Sequence, residues 1–95
     1  MEYVKNYFNM NYLKAVFWDY PQFTDEKYLS EKIKGSDDIF RWILSRFLEY
    51  GRAIDTMKYF SIYQINTNID KIKIRPETRR KWKRLIEVYD TDNRK

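Results

Sequence analysis

The hydrophobic and polar positions of this chain fall mostly on a helical period. Across residues 37–50, Ile39, Phe40, Ile43, Leu44, Phe47 and Leu48 recur at steps of three and four and cover one half of a helical wheel. Arg41, Ser45, Arg46 and Glu49 take the other half. Ser36 stands where an N-cap is needed, and Asp37 and Asp38 suit the positive end of the helix dipole. Gly51 is expected in the left-handed conformation that follows many helices. Trp42 falls among the polar residues, so it either packs under the N-terminal segment or is exposed, and it is the candidate protein-interface residue.

The flanking segments are shorter. In residues 1–16, Tyr3, Val4, Tyr7, Phe8, Tyr12, Leu13 and Val16 have roughly helical spacing, but three Asn weaken a helix there. An N-terminal arm or short helix is expected. Pro21 pushes Tyr20 out of helical geometry, so 17–21 reads as a bend. Thr24 or Asp25 caps a helix to about Lys34, with Gly35 as its stop. After Gly51, residues 52–63 read as a second helix with Ala53, Ile54, Met57 and Phe60 on one side. Gln64–Asn68 then reads as a turn. Thr67 or Asn68 is expected to cap a short helix carrying Ile69 and Ile72, with a strand over 69–75 as the competing reading because Ile72 and Ile74 alternate with cations. Pro76 opens a last helix to about Tyr89, pinned by Trp82, Leu85, Ile86 and Tyr89. The expectation is an all-α, compact bundle of four to five short helices over 17–89, with a flexible tail at 90–95. One arrangement it allows is helix-turn-helix-like, with residues 52–61, a turn near 62–64 and a short helix carrying Lys71 and Lys73 towards a groove.

Charge changes this picture. The net charge is +5, yet residues 1–70 hold nine Lys/Arg against ten Asp/Glu, while residues 71–84 hold eight Lys/Arg against one Glu. A neutral domain therefore carries one basic block. A block this dense attracts polyanions. Acidic partners at i±4 on the last helix are limited to Glu77–Lys81 and Lys83–Glu87, so self-neutralisation is incomplete. Binding is favoured over a merely solvated face. The candidate phosphate-contacting residues are Lys71, Lys73, Arg75, Arg79, Arg80, Lys83 and Arg84, and the partner is a nucleic acid or an acidic protein.

Composition narrows the chemistry further. The chain has no His and no Cys. That removes Ser-His-Asp and Cys-His nucleophiles and the common zinc and iron ligand sets. Two isolated Gly cannot build a phosphate loop. Asp37 and Asp38 point about 100° apart on a helix and suit its dipole rather than a shared proton. Asp90-Thr91-Asp92-Asn93 lacks the Gly and Glu of a calcium loop. Asp25-Glu26-Lys27 has an acid-x-Lys spacing found in some metal nucleases, but those also need a strand and further acids, and the tripeptide recurs by chance. No catalytic residue, metal or cofactor is expected. No apolar run approaches ~18 residues, and the N-terminus lacks a secretory pattern, so no membrane span and a cytoplasmic location are expected. Aromatic residues make up 19% of the chain, enough for a dense core and an aromatic contact surface.

Four local features together resemble a family of small, uncharacterised prokaryotic domains. They are Phe17-Trp18-Asp19, Arg46-Phe47-Leu48-Glu49-Tyr50-Gly51, Arg75-Pro76-Glu77-Thr78, and Trp82 four residues after that Thr. The likeness spans about residues 17–86. This chain has Lys81 where the family usually has Phe before the Trp, and Arg75 where Ser is usual. Members are often encoded near nucleotidyltransferase-type toxins, which implies an antitoxin-like or accessory role. The resemblance implies structural roles for the matched positions, with Gly51 as a cap, Pro76 at a helix start, and Trp18 and Trp82 as core anchors. It carries no catalytic residues.

The reading is therefore a non-catalytic binding module. It is a nucleic-acid-binding or regulatory protein using its basic C-terminal helix, or else an antitoxin-like module that binds a protein.

Overall fold

The structure, a computed structural model, describes residues 12–93, with side chains described for 12–89. Helix α1 (12–16) leads through a bend into a 3-10 turn at Pro21–Thr24. The chain continues through α2 (Glu26–Ile33), α3 (Asp37–Tyr50), α4 (Ala53–Thr56), α5 (Ile62–Asn68) and α6 (Pro76–Asn93). There is no strand among the described residues, and no helix there is long and apolar enough to cross a membrane. The all-α expectation holds. Tyr3, Val4, Tyr7 and Phe8 of the expected arm lie outside the described residues, as do the last two positions of the expected tail.

Helix α3 organises the core. Ile43, Leu44, Phe47 and Leu48 are buried on the stripe that periodicity assigned to them. Against them pack Leu13, Val16 and Phe17 from the N-terminal side, Leu29 from α2, Phe60 and Ile65, and Trp82 and Ile86 from α6. Each such side chain contributes roughly 1.5–3 kcal/mol by leaving water. Caps fix the helix starts. Asp25 accepts from the Lys27 backbone N–H at 3.0 Å, and Ser36 accepts from that of Ile39 at 3.3 Å. Pro76 is the first residue of α6, as expected. That helix runs to Asn93, past the stop expected near Tyr89.

Several expectations fail, each for a local reason. Residues 52–63 are not one helix. Ser61 adopts an extended N-cap conformation, and its side chain and that of Gln64 form a reciprocal capping box, so α5 starts at Ile62. The same box makes Gln64–Asn68 helix rather than turn. Ile69–Arg75 is then neither a helix capped by Thr67 or Asn68 nor a strand. It is an irregular linker whose Ile69 and Ile72 are buried. The helix-turn-helix arrangement is lost with these elements. Finally, Gly51 is extended at φ −95°, not left-handed. It is glycine because of close approach: a Cβ there would lie 2.9 Å from the Phe47 carbonyl oxygen and 3.2 Å from Val16 Cγ2.

Trp18 is not a core anchor either. It is 57% exposed, whereas Trp82 is 1% exposed. Tertiary polar ties complete the frame. The Tyr12 hydroxyl donates to Glu26 at 2.8 Å and lies 2.9 Å from that of Tyr59, joining α1, α2 and the segment after α4. Burial, then those two contacts, push the Tyr12 phenol well above its usual range, so it serves as a neutral strut.

Candidate nucleic-acid interface

Helix α6 buries Thr78, Trp82 and Ile86, one turn apart, on α3. That orientation sets where its cations go. Arg79 and Lys83 form the neighbouring row at the edge of the core, and Arg80 and Arg84 form the next row, facing solvent. Lys81 lies beyond them and is also exposed.

The linker joins this surface through Arg79. Its guanidinium donates to the carbonyl oxygens of Ile69 at 3.3 Å and Ile72 at 2.8 Å. Lys83 pairs with Asp70 at 2.9 Å, and Arg79 lies 3.9 Å from the same carboxylate. Burial of Ile72 leaves Lys71 and Lys73, on either side of it, exposed. The linker thus runs along the Arg79–Lys83 edge of α6, and the two halves of the basic segment adjoin.

Three of the seven sequence-assigned cations have an intramolecular partner. Arg75 pairs with Glu49 at 3.2 Å, and Arg79 and Lys83 share Asp70. Among the described residues, Lys71, Lys73, Arg80 and Arg84 make no ion pair. Glu49 is itself heavily engaged. Burial pushes its carboxyl up, but hydrogen bonds from the Thr78 hydroxyl at 2.6 Å and from the Arg75 backbone and side chain outweigh this and hold it below the usual range.

A second surface lies along α3, beside the stripe that fills the core. Ile39, Trp42, Arg46 and Tyr50 recur there at steps of three and four. Trp42 is half-buried against Phe17, Phe23 and Tyr20, at ring distances of 6.0, 5.4 and 5.0 Å. It lines an open groove of about 460 Å³ with Phe23, Tyr28 and Ile39, bordered by Lys32 and Asp38. Further along, the Arg46 guanidinium lies 4.7 Å from the Trp18 ring, 5.1 Å from Tyr50 and 5.5 Å from Tyr20. It donates twice to the Val16 carbonyl, at 2.8 and 3.1 Å, and pairs with Asp19.

Sequence reasoning singled out Trp42 on this face but not Arg46, Trp18 or Tyr50. The spacing of Ile39, Trp42, Arg46 and Tyr50 was the available signal. It was masked because Arg46 reads as one more solvated charge. No three of Asp, Glu, His or Cys converge as a metal cage among the described residues. Comparison with protein-family models, curated proteins and solved structures found no match.

Proposed function

We propose that this chain is a non-catalytic module that binds nucleic acid through the surface formed by Lys71, Lys73 and the cations of α6. One observation carries the reading. Arg79 fastens the 69–72 linker to α6, so two cationic segments that could have diverged present a joint surface. Four carboxylates, Glu49, Asp70, Glu77 and Glu87, stand on or against that surface beside eight cations, so the local field remains positive. Arg79 and Lys83 at the edge and Arg80 and Arg84 outside suit contacts with successive phosphates, which position a strand without reading its sequence.

The test is a titration of labelled mixed-sequence oligonucleotides at several salt concentrations. With about four phosphate contacts, log affinity falls against log salt with a slope of roughly −3.5 on a duplex and roughly −2.8 on a single strand. Absence of binding at low salt sinks the reading.

A second reading rests on the groove beside Trp42. Trp, Tyr and Arg are enriched at protein interfaces and their hot spots, and this face concentrates them. It suits an antitoxin-like module that covers a partner such as a nucleotidyltransferase-type toxin. Trp42→Ala then abolishes co-purification of a stoichiometric partner, while neutralising Arg80 and Arg84 does not.

A further inference from the structure

Trp18 and Tyr50 are large and exposed, and neither fills the core. Trp18 is 57% exposed and Tyr50 46%. Their rings meet edge to face at 4.7 Å. The loop beneath them is fixed by the Phe17 N–H on the Leu13 carbonyl at 2.9 Å and the Tyr20 N–H on the Phe17 carbonyl at 3.1 Å. Arg46, with its side chain 13% exposed, fills the inner side of this aromatic cluster, anchored by Val16 and Asp19. A cage already occupied by its own guanidinium has no room for a second cation. Its outer aromatic surface remains open to a flat, apolar ligand.

The position of Tyr50 connects this cluster to the basic surface. Its neighbour Glu49 binds both the Arg75 backbone N–H, at 3.0 Å, and the Arg75 guanidinium. Arg75 is stabilised in its charged form first by Glu49, and Tyr50 is among the groups close enough to act on it electrostatically. The cationic linker Lys71–Lys73–Arg75 therefore ends on the last turn of α3, the turn that carries Tyr50. Nucleobases are flat and apolar on their faces, and they come attached to phosphates. A duplex hides those faces in its own stack; a single strand offers them.

From this juxtaposition we infer that the nucleic acid taken by this chain is single-stranded, with an unpaired base stacked on Trp18, beside the perpendicular ring of Tyr50, while neighbouring phosphates follow Arg75, Lys73 and Lys71. The inference rests on the proposed function and specifies its ligand. Arg46 and Asp19 act as positioning residues that hold the aromatic planes before the strand arrives, which lowers the ordering cost of binding.

The experiment uses the full chain and three fluorescent probes of equal length: a mixed-sequence single strand, its duplex, and an abasic sugar-phosphate strand. Wild type is expected to bind the base-bearing single strand at least about tenfold more tightly than the abasic strand, as a stacked base requires. Trp18→Ala should remove most of that difference while leaving abasic binding and its salt slope in place. Circular dichroism confirms that the variant is folded, and the abasic comparison in wild type needs no variant at all. If all three probes bind equally, with salt dependence retained, the stacking inference fails and the functional reading stands. If no probe binds at any salt, the functional reading fails and takes this inference with it.

Discussion

The Trp82 indole N–H donates to the Leu48 carbonyl oxygen at 3.1 Å. Leu48 lies in the last turn of α3, where carbonyls have no partner within the helix. A side chain from α6 thus satisfies a backbone group of α3 while filling the space against it. Trp82→Phe keeps most of the apolar volume but leaves that buried oxygen without a donor. We expect a loss of about 2–4 kcal/mol, from the orphaned acceptor and the smaller ring together. Urea denaturation followed by circular dichroism measures it, and a change under ~0.5 kcal/mol would refute this account of the bond.

Gly51→Ala is expected to destabilise by about 1–3 kcal/mol, through overpacking rather than backbone strain. The new Cβ would meet the Phe47 carbonyl at 2.9 Å and two side-chain carbons, on Phe47 and Val16, at 3.2 Å. At Gly35 the nearest atom is the Lys32 carbonyl oxygen at 3.1 Å, with nothing else close, so Gly35→Ala should cost less. Thermal melts of the two variants side by side check the order. An equal effect would point to a shared backbone cause.

Glu49 makes stability depend on acid pH. Its folded-state pKa is held below the ordinary value, despite burial, by Thr78 and Arg75. Its contribution is therefore fully present above the unfolded value of about 4.3, and it is lost as pH falls through the lower folded value. The urea midpoint should drop as pH falls below the unfolded value, and Glu49→Gln should flatten that drop. An unchanged profile in the variant would assign the acid sensitivity to other groups.

Asp70 opposes the proposed ligand. It neutralises Lys83 at 2.9 Å and approaches Arg79. Because exposed pairs are worth under ~1 kcal/mol, Asp70→Asn should tighten binding to a single strand by about two- to fivefold at low salt. Anisotropy titration reads this directly; weaker binding would mean that Lys83 and Arg79 do not meet phosphates.

Legibility in the sequence differed from element to element. Helix α3, with its Ser36 cap and buried stripe, could be read because local preference and tertiary packing ask for the same thing there. Asp25 and Pro76 were legible for the same reason. The Ser61-x-x-Gln64 capping box was also present in the sequence, but the spacing of Ala53, Met57 and Phe60 suggested a continuous helix through it. The two are mutually exclusive, because an N-cap residue must leave helical geometry.

The sequence by itself determined the helical class, the dominant core stripe and the concentration of cations in residues 71–84. Whether the two halves of that segment adjoin was a tertiary matter, decided when Arg79 found the carbonyls of Ile69 and Ile72. So was the exposure of Trp18. An indole ordinarily moves to the core to leave water, but here Phe17 takes the buried position. Arg46, brought from α3 thirty residues away from Val16, offers Trp18 a charged face at the surface. Contacts between residues distant in sequence decided both outcomes, and local periodicity carries no information about such contacts.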